Sequence, residues 1–99
     1  MVHRLLRDSE LPRPELQHEV RLGARLAYID FAYPEQWLGV EADGYEWHAG
    51  RDQWADDLAR RNALVAAGWT IIHVTSDDVT RRPRETVALI QSLLDAPTR

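Results

Sequence analysis

The sequence contains no cysteine and no lysine. Without thiols there is neither a disulfide framework nor a thiolate zinc site. Without lysine, all twelve basic residues are arginines, whose planar guanidinium binds phosphate through two parallel hydrogen bonds. Also missing is any apolar run approaching the ~20 residues that a membrane-spanning helix needs. The opening residues "MVHRLLRDSELPRP" are charged throughout and broken by Pro12 and Pro14, which does not fit the charged-then-apolar pattern of a targeting segment. A cytoplasmic protein with no membrane partner is the expectation. A surplus of positive charge is lacking too, since sixteen acids against twelve bases give a net charge of −4. This counts against a positive sheath of the kind that drives non-specific nucleic-acid binding, although acids gathered in one place would leave the rest of the surface more basic.

What is present is enough for one compact domain over 1–99, with 44% hydrophobic composition. "VHRLLRDSEL" predicts a short helix that must stop before Pro12. "LQHEVRL" and "RLAYIDFAY" flank Gly23-Ala24 and predict a hairpin. In the second run, alternation puts Ala27, Ile29 and Phe31 on one face and Leu26, Tyr28 and Asp30 on the other. Pro34-Glu35 makes a turn, and "WLGVEAD" follows as a third strand. There Leu38, Val40 and Ala42 oppose Trp37, Gly39, Glu41 and Asp43. From Asp52 to Ala67 the period is helical, with Gly68 as the stop and Trp54, Leu58 and Val65 as the main stripe. Asn62 lies within that stripe and Leu64 off it, which predicts contacts on more than one side. "WTIIHVT" is a fourth strand, and Pro83 to about Leu94 a closing helix with Val87, Ile90 and Leu94 on one face. The predicted class is α/β, in the order α-β-β-β-α-β-α, with a four-stranded mixed sheet flanked by helices.

Three acids stand out on this frame. Asp30 and Glu41 lie on adjacent strands joined by a short turn, so their carboxylates can approach within a few ångströms of each other. Glu41 and Asp43 share a strand face, ~6.6 Å apart along the chain. Like charges this close require a shared proton or a cation between them, and hard cations such as Mg²⁺ or Mn²⁺ take oxygen ligands of this kind. The plainer reading is that an antiparallel sheet has one solvated face on which acids need no explanation. Three acids together, followed by Gly44 and His48, favour a site. His48 suits a general base or acid, and Trp47, if exposed, offers a stacking surface for a base. Asp57, Arg60 and Arg61, at i, i+3 and i+4, read equally as a surface ion pair or as a phosphate contact. His73, on the fourth strand, reads as structural. His18 and Glu19 on the first strand are candidates to extend the acidic cluster.

"DFAYPEQWLGVEADGYEWH", followed by "DLARRNALVAAGW", resembles the domain-of-unknown-function family 559. That family is related to the very short patch repair (Vsr) endonucleases within the PD-(D/E)XK nuclease superfamily. The resemblance runs from about Leu11 to Leu94 and rests on Asp30-Phe31, Glu41, Asp43-Gly44, His48, Asp57, Arg60, Leu64 and Gly68. It implies a restriction-endonuclease-like core and Mg²⁺- or Mn²⁺-dependent hydrolysis of DNA phosphodiesters. Asp30 and Glu41 would be ligands, Asp43 a ligand or a base acting through water, and His48 an aid to proton transfer. Arg51, Arg60 or Arg61 would meet phosphate, with Trp47 nearby. Asp43 stands where the superfamily usually has lysine. The first-helix Glu of the family and the zinc ligands of the repair enzymes are absent, so mismatch-specific repair is not implied. The chain is accordingly expected to be an endonuclease with DNA as partner, as a homodimer or joined to an upstream domain. The alternatives are a nuclease-fold module that binds DNA or a protein without cutting, and a structural or dimerising domain that uses Tyr28 and Trp37.

Overall fold

The computed structural model describes residues 1–43 and 51–96, apart from the side chains of Asp43 and of residues 51–54. Helix α1 (Val2–Asp8) buries Val2 and Leu6. It ends at Ser9, whose hydroxyl donates to the Leu6 carbonyl at 2.7 Å and accepts from the Leu11 N–H at 3.2 Å. Strands β1 (Glu15–Leu22) and β2 (Arg25–Tyr33) form the expected hairpin, with Gly23 at φ +64° in a turn that closes on Leu22 opposite Arg25. A 3₁₀ turn over Pro34–Gln36 leads to β3 (Leu38–Asp43). Helix α2 (Arg51–Ala66) then crosses over to β4 (Thr70–Thr75), which lies parallel to β3. The sheet order is β1-β2-β3-β4, with the other two neighbouring pairs antiparallel. Helix α4 (Pro83–Asp95) closes the chain. The α/β class and the mixed four-stranded sheet flanked by helices are as the sequence predicts.

One element adds to that order. Helix α3 (Ser76–Arg81) separates β4 from α4 and is started by a capping box, in which Thr75 Oγ1 accepts from the Asp78 N–H and the Asp78 carboxylate accepts from the Thr75 N–H. The Thr75 N–H donating to the carboxylate, with Arg82 against the same group, holds Asp78 below the usual carboxylate range.

The sheet has an apolar cluster on each face. Phe31, Tyr33, Leu38, Val40 and Val74 pack with Val2, Leu6 and Leu11 at the α1 end and with Ile90 of α4. On the other face Ala27, Ile29 and Ala32 pack with Leu64 of α2 and with Trp69. Gly39 makes the second packing possible. A Cβ there would lie 2.7 Å from Ile71 Cδ1 and 2.8 Å from Ile29 Cγ2, so side chains from β2 and β4 meet across it.

The expected single face for Ala27, Ile29 and Phe31 is corrected by this arrangement. Ile29 belongs to the α2 side and Phe31 to the α1/α4 side. The alternation inverts at Asp30, opposite Gln17, which has a left-handed φ of +49°. Counting residues in twos cannot register such a break in the pleat, because the count assumes an unbroken alternation.

The predicted stripe of α2 is also corrected. Leu64 is fully buried, whereas Val65 is 58% exposed. The half-buried positions Asp57, Arg60 and Arg61 share the Leu64 face, so α2 turns a largely charged surface toward the sheet. An apolar-stripe reading fails on such a helix because its docked face is chosen by charge as well as by hydrophobicity.

Candidate functional site

The site lies where β2 and β3 part. Their ladder ends at Phe31 opposite Val40, and the next residue of each strand beyond it is Asp30 on β2 and Glu41 on β3. Here the ladder gives way to a side chain, and the Ala42 N–H donates to Asp30 Oδ2 at 3.1 Å. The other Asp30 oxygen accepts from Gln17 Nε2, also at 3.1 Å. Asp30 therefore bridges three strands at the point where side-chain alternation inverts. The sequence expectation that Asp30 and Glu41 lie on neighbouring strands at one sheet end corresponds to this geometry. His18 and Glu19 do not join them. His18 Nδ1 pairs with the Glu15 carboxylate at 2.9 Å, the oxygen accepting, and the ring lies against Trp69, while Gln17 takes the place beside Asp30.

Glu41 is 6% exposed. Isolated burial of a carboxylate is costly, and here it is compensated by Arg60, which reaches down from α2. Arg60 Nη2 donates to Glu41 Oε2 at 2.6 Å and Nη1 donates to Oε1 at 3.2 Å, a two-pronged pair. Nη2 also donates to the Tyr28 carbonyl at 2.6 Å. The hydrogen bonds to Glu41 hold Arg60 even more firmly protonated than usual; partial burial opposes this, and the charges of Glu41, Asp57 and Asp30 add to it. Of the paired Asp57–Arg60/Arg61 readings, neither holds alone. Arg61 forms the helical ion pair with Asp57 at 3.0 Å, whereas Arg60 is 4.0 Å from Asp57 and is committed to Glu41.

His73 is the residue that sequence reasoning left aside. It pairs in register with Glu41 on the parallel neighbour β4, and its Nδ1 is buried with no hydrogen-bond partner. Its place on the same face as Ile71 was legible from strand parity; its adjacency to Glu41 required the β3–β4 register. Two further contacts, from Gln17 and the Tyr28 carbonyl, have no sequence signal, since one follows from a backbone break and the other is main chain.

Asp43 ends β3 in register with Thr75, and its side chain lies outside the described residues. The same holds for the side chain of Arg51, while Trp47 and His48 lie outside the described residues altogether. Among the described residues, no three His, Asp or Glu side chains converge as a metal site. Asp30 and Glu41, on neighbouring strands, carry oxygen donors of the hard type that Mg²⁺ and Mn²⁺ prefer. The unpartnered nitrogen of His73 beside them marks a further polar position. The residues fit such a cation on donor chemistry, with the Arg60 guanidinium in competition for Glu41.

Comparison with known proteins places this geometry in a class. The model of the family REase_MTES_1575, a restriction endonuclease-like family, matches residues 3–94, and the chain belongs to that family. The observed α-β-β-β-α-β-α framework is consistent with a restriction-endonuclease-like fold. Two curated relatives from Mycobacterium tuberculosis, uncharacterized protein MT2308 of strain CDC 1551 / Oshkosh and uncharacterized protein Rv2248 of strain H37Rv, are each 39% identical over 89 residues. The match covers 89% of this chain and 33% of each relative, so the chain spans about a third of their length. No solved structure gives a significant match. No helix among the described residues is long and apolar enough to cross a membrane.

Proposed function

We propose that this nuclease-type domain is a divalent-cation-dependent endonuclease acting on DNA phosphodiesters, with Asp30 and Glu41 at its centre. The observation that carries the reading is the placement of these two acids on neighbouring strands where the β2–β3 ladder ends, with Glu41 held by Arg60 of α2, in a member of a restriction endonuclease-like family. The kinship with family 559 and the very short patch repair endonucleases belongs to the same proposal. Asp30 and Glu41 would hold Mg²⁺ or Mn²⁺, with Asp43 as a further ligand or a base acting through water. When bound, such a cation lowers the pKa of water and stabilises the charge that builds on phosphorus.

The chain's own groups do the rest. Asp30 fixes the strand end through the Ala42 N–H, next to Glu41. Arg51 and Arg61, both on α2, would approach phosphate oxygens from the helix side. His48 would assist proton transfer, and Trp47 would stack on a base. A homodimer or a larger fused protein would supply further DNA contacts.

A second reading has its own observation. Both oxygens of Glu41 are already occupied by Arg60, which suits a module that binds DNA without cutting. Cleavage assays decide between the two. Single- and double-stranded DNA are incubated with wild-type protein and Mg²⁺ or Mn²⁺, alongside Asp30→Asn and Glu41→Gln. Metal-dependent cutting that falls about 10²-fold or more in both variants, the scale of losing one electrostatic stabiliser of the transition state, supports the enzyme. Salt-sensitive DNA binding with no turnover, indifferent to Asp30→Asn, supports the module.

A further inference from the structure

We infer that Arg60 is the resident counter-ion of the acidic centre and that a divalent cation must displace it from Glu41 to bind. The inference rests on the cation-dependent reading above. Arg60 makes three hydrogen bonds at one place, two to Glu41 and one to the Tyr28 carbonyl, and its side chain is 20% exposed. It therefore fills the position of a cation: it neutralises a buried carboxylate, draws on the field of Asp30, and ties β2 and β3 to α2 through one planar group. The two-pronged pair takes one lone pair of each Glu41 oxygen and covers that face of the carboxylate with positive charge, so a hard cation seeking the same lone pairs is kept from that face while the pair is intact. At that face of Glu41 the two occupants are mutually exclusive.

This exclusion has a thermodynamic consequence. If the cation binds only the fraction of molecules in which Arg60 has left Glu41, apparent affinity falls in proportion to that fraction. It also sets a destination for the released group. A guanidinium anchored on α2 above the acids, freed from one two-pronged oxygen partner, matches the two-pronged geometry of a phosphodiester arriving at the same point. Arg60 is in this sense a positioning residue that exchanges carboxylate for phosphate.

The test is calorimetric Mn²⁺ binding with no DNA present, paired with thermal unfolding with and without Mn²⁺. Four proteins are compared: wild type, Arg60→Gln, Arg60→Lys and the double variant Glu41→Gln/Arg60→Gln. Removing the competing cation is expected to tighten Mn²⁺ binding about 10-fold or more in Arg60→Gln, within the range of ordinary coupling between sites. Mn²⁺ should raise the unfolding temperature of that variant more than that of wild type, since the metal replaces the lost counter-ion. Arg60→Lys keeps the charge without the two-pronged grip, folds without help from metal, and should fall in between. The double variant should show neither gain. Equal or weaker Mn²⁺ binding in both single variants overturns the inference while leaving cation-dependent cleavage intact. Absence of Mn²⁺ binding in all four proteins, together with absence of cleavage, removes the proposed function itself.

Discussion

The two faces of the sheet are built on different rules. Toward α1 and α4 the packing is a continuous apolar cluster, from Leu6 and Leu11 to Phe31, Val40 and Ile90, with Tyr33 and Thr86 each donating to a main-chain carbonyl. Toward α2 an apolar patch around Ile29, Leu64 and Trp69 stops short, and the helix continues over the sheet with Asp57, Arg60 and Arg61. The first face is fastened by the removal of apolar surface from water and has no directional demand. The second is fastened at Glu41 by hydrogen bonds that hold one geometry. Where a small domain gives up apolar packing for a buried ion pair, the pair is retained for something other than stability, because such pairs are poor stabilisers relative to apolar replacements.

The comparison can be broken or sharpened by substitution. The largest effect is expected at the ion pair: Arg60→Ala leaves Glu41 buried and uncompensated and should cost about 3–5 kcal/mol in chemical denaturation. The Glu41→Gln/Arg60→Gln double variant should recover most of that loss, since a neutral pair strands no charge. On the other face Ile90→Ala should cost about 2–5 kcal/mol, with no second-site change on α2 able to restore it. A double-mutant cycle between Arg60 and Ile90 should be additive within about 0.5 kcal/mol, as expected of separate environments.

Smaller effects probe the joints. Gly39→Ala should cost about 1–3 kcal/mol by pressing a methyl group between Ile29 and Ile71, and thermal unfolding would register it. Asp78→Ala, which removes the α3 capping box, should cost about 1 kcal/mol. The pH dependence of that contribution has a definite sign. Because the folded-state pKa of Asp78 is lowered, its contribution is present above the ordinary value of 3.8 and is lost as pH falls through the depressed folded value. The difference between wild type and Asp78→Ala should therefore shrink in acid.

The frame of this fold was legible because hairpin, crossover and sheet follow from local patterns: Gly23 in the turn, alternating β2, Gly68 after α2. The capping box that starts α3 was legible too, in Thr75 and Asp78, but six residues carry too little periodicity to announce a helix. The placement of Asp30 and Glu41 on neighbouring strands followed from a short turn. Arg60 on Glu41 did not, since the face a helix docks is fixed by tertiary contact, and the stripe of Trp54, Leu58 and Val65 pointed elsewhere. The inversion at Gln17 and Asp30 was hidden for a related reason, as nothing in a glutamine announces a left-handed backbone. In both places the departure from pattern coincides with the candidate site, as is expected where a local rule gives way.

The most direct test of the account is a crystal of the wild-type protein soaked in Mn²⁺, with anomalous diffraction recorded at the manganese edge. The account predicts an anomalous peak shared by Asp30 and Glu41, with the Arg60 guanidinium moved off the Glu41 carboxylate. An intact Arg60–Glu41 pair with no peak at the two acids, in a protein that still cleaves DNA with Mn²⁺, would contradict it.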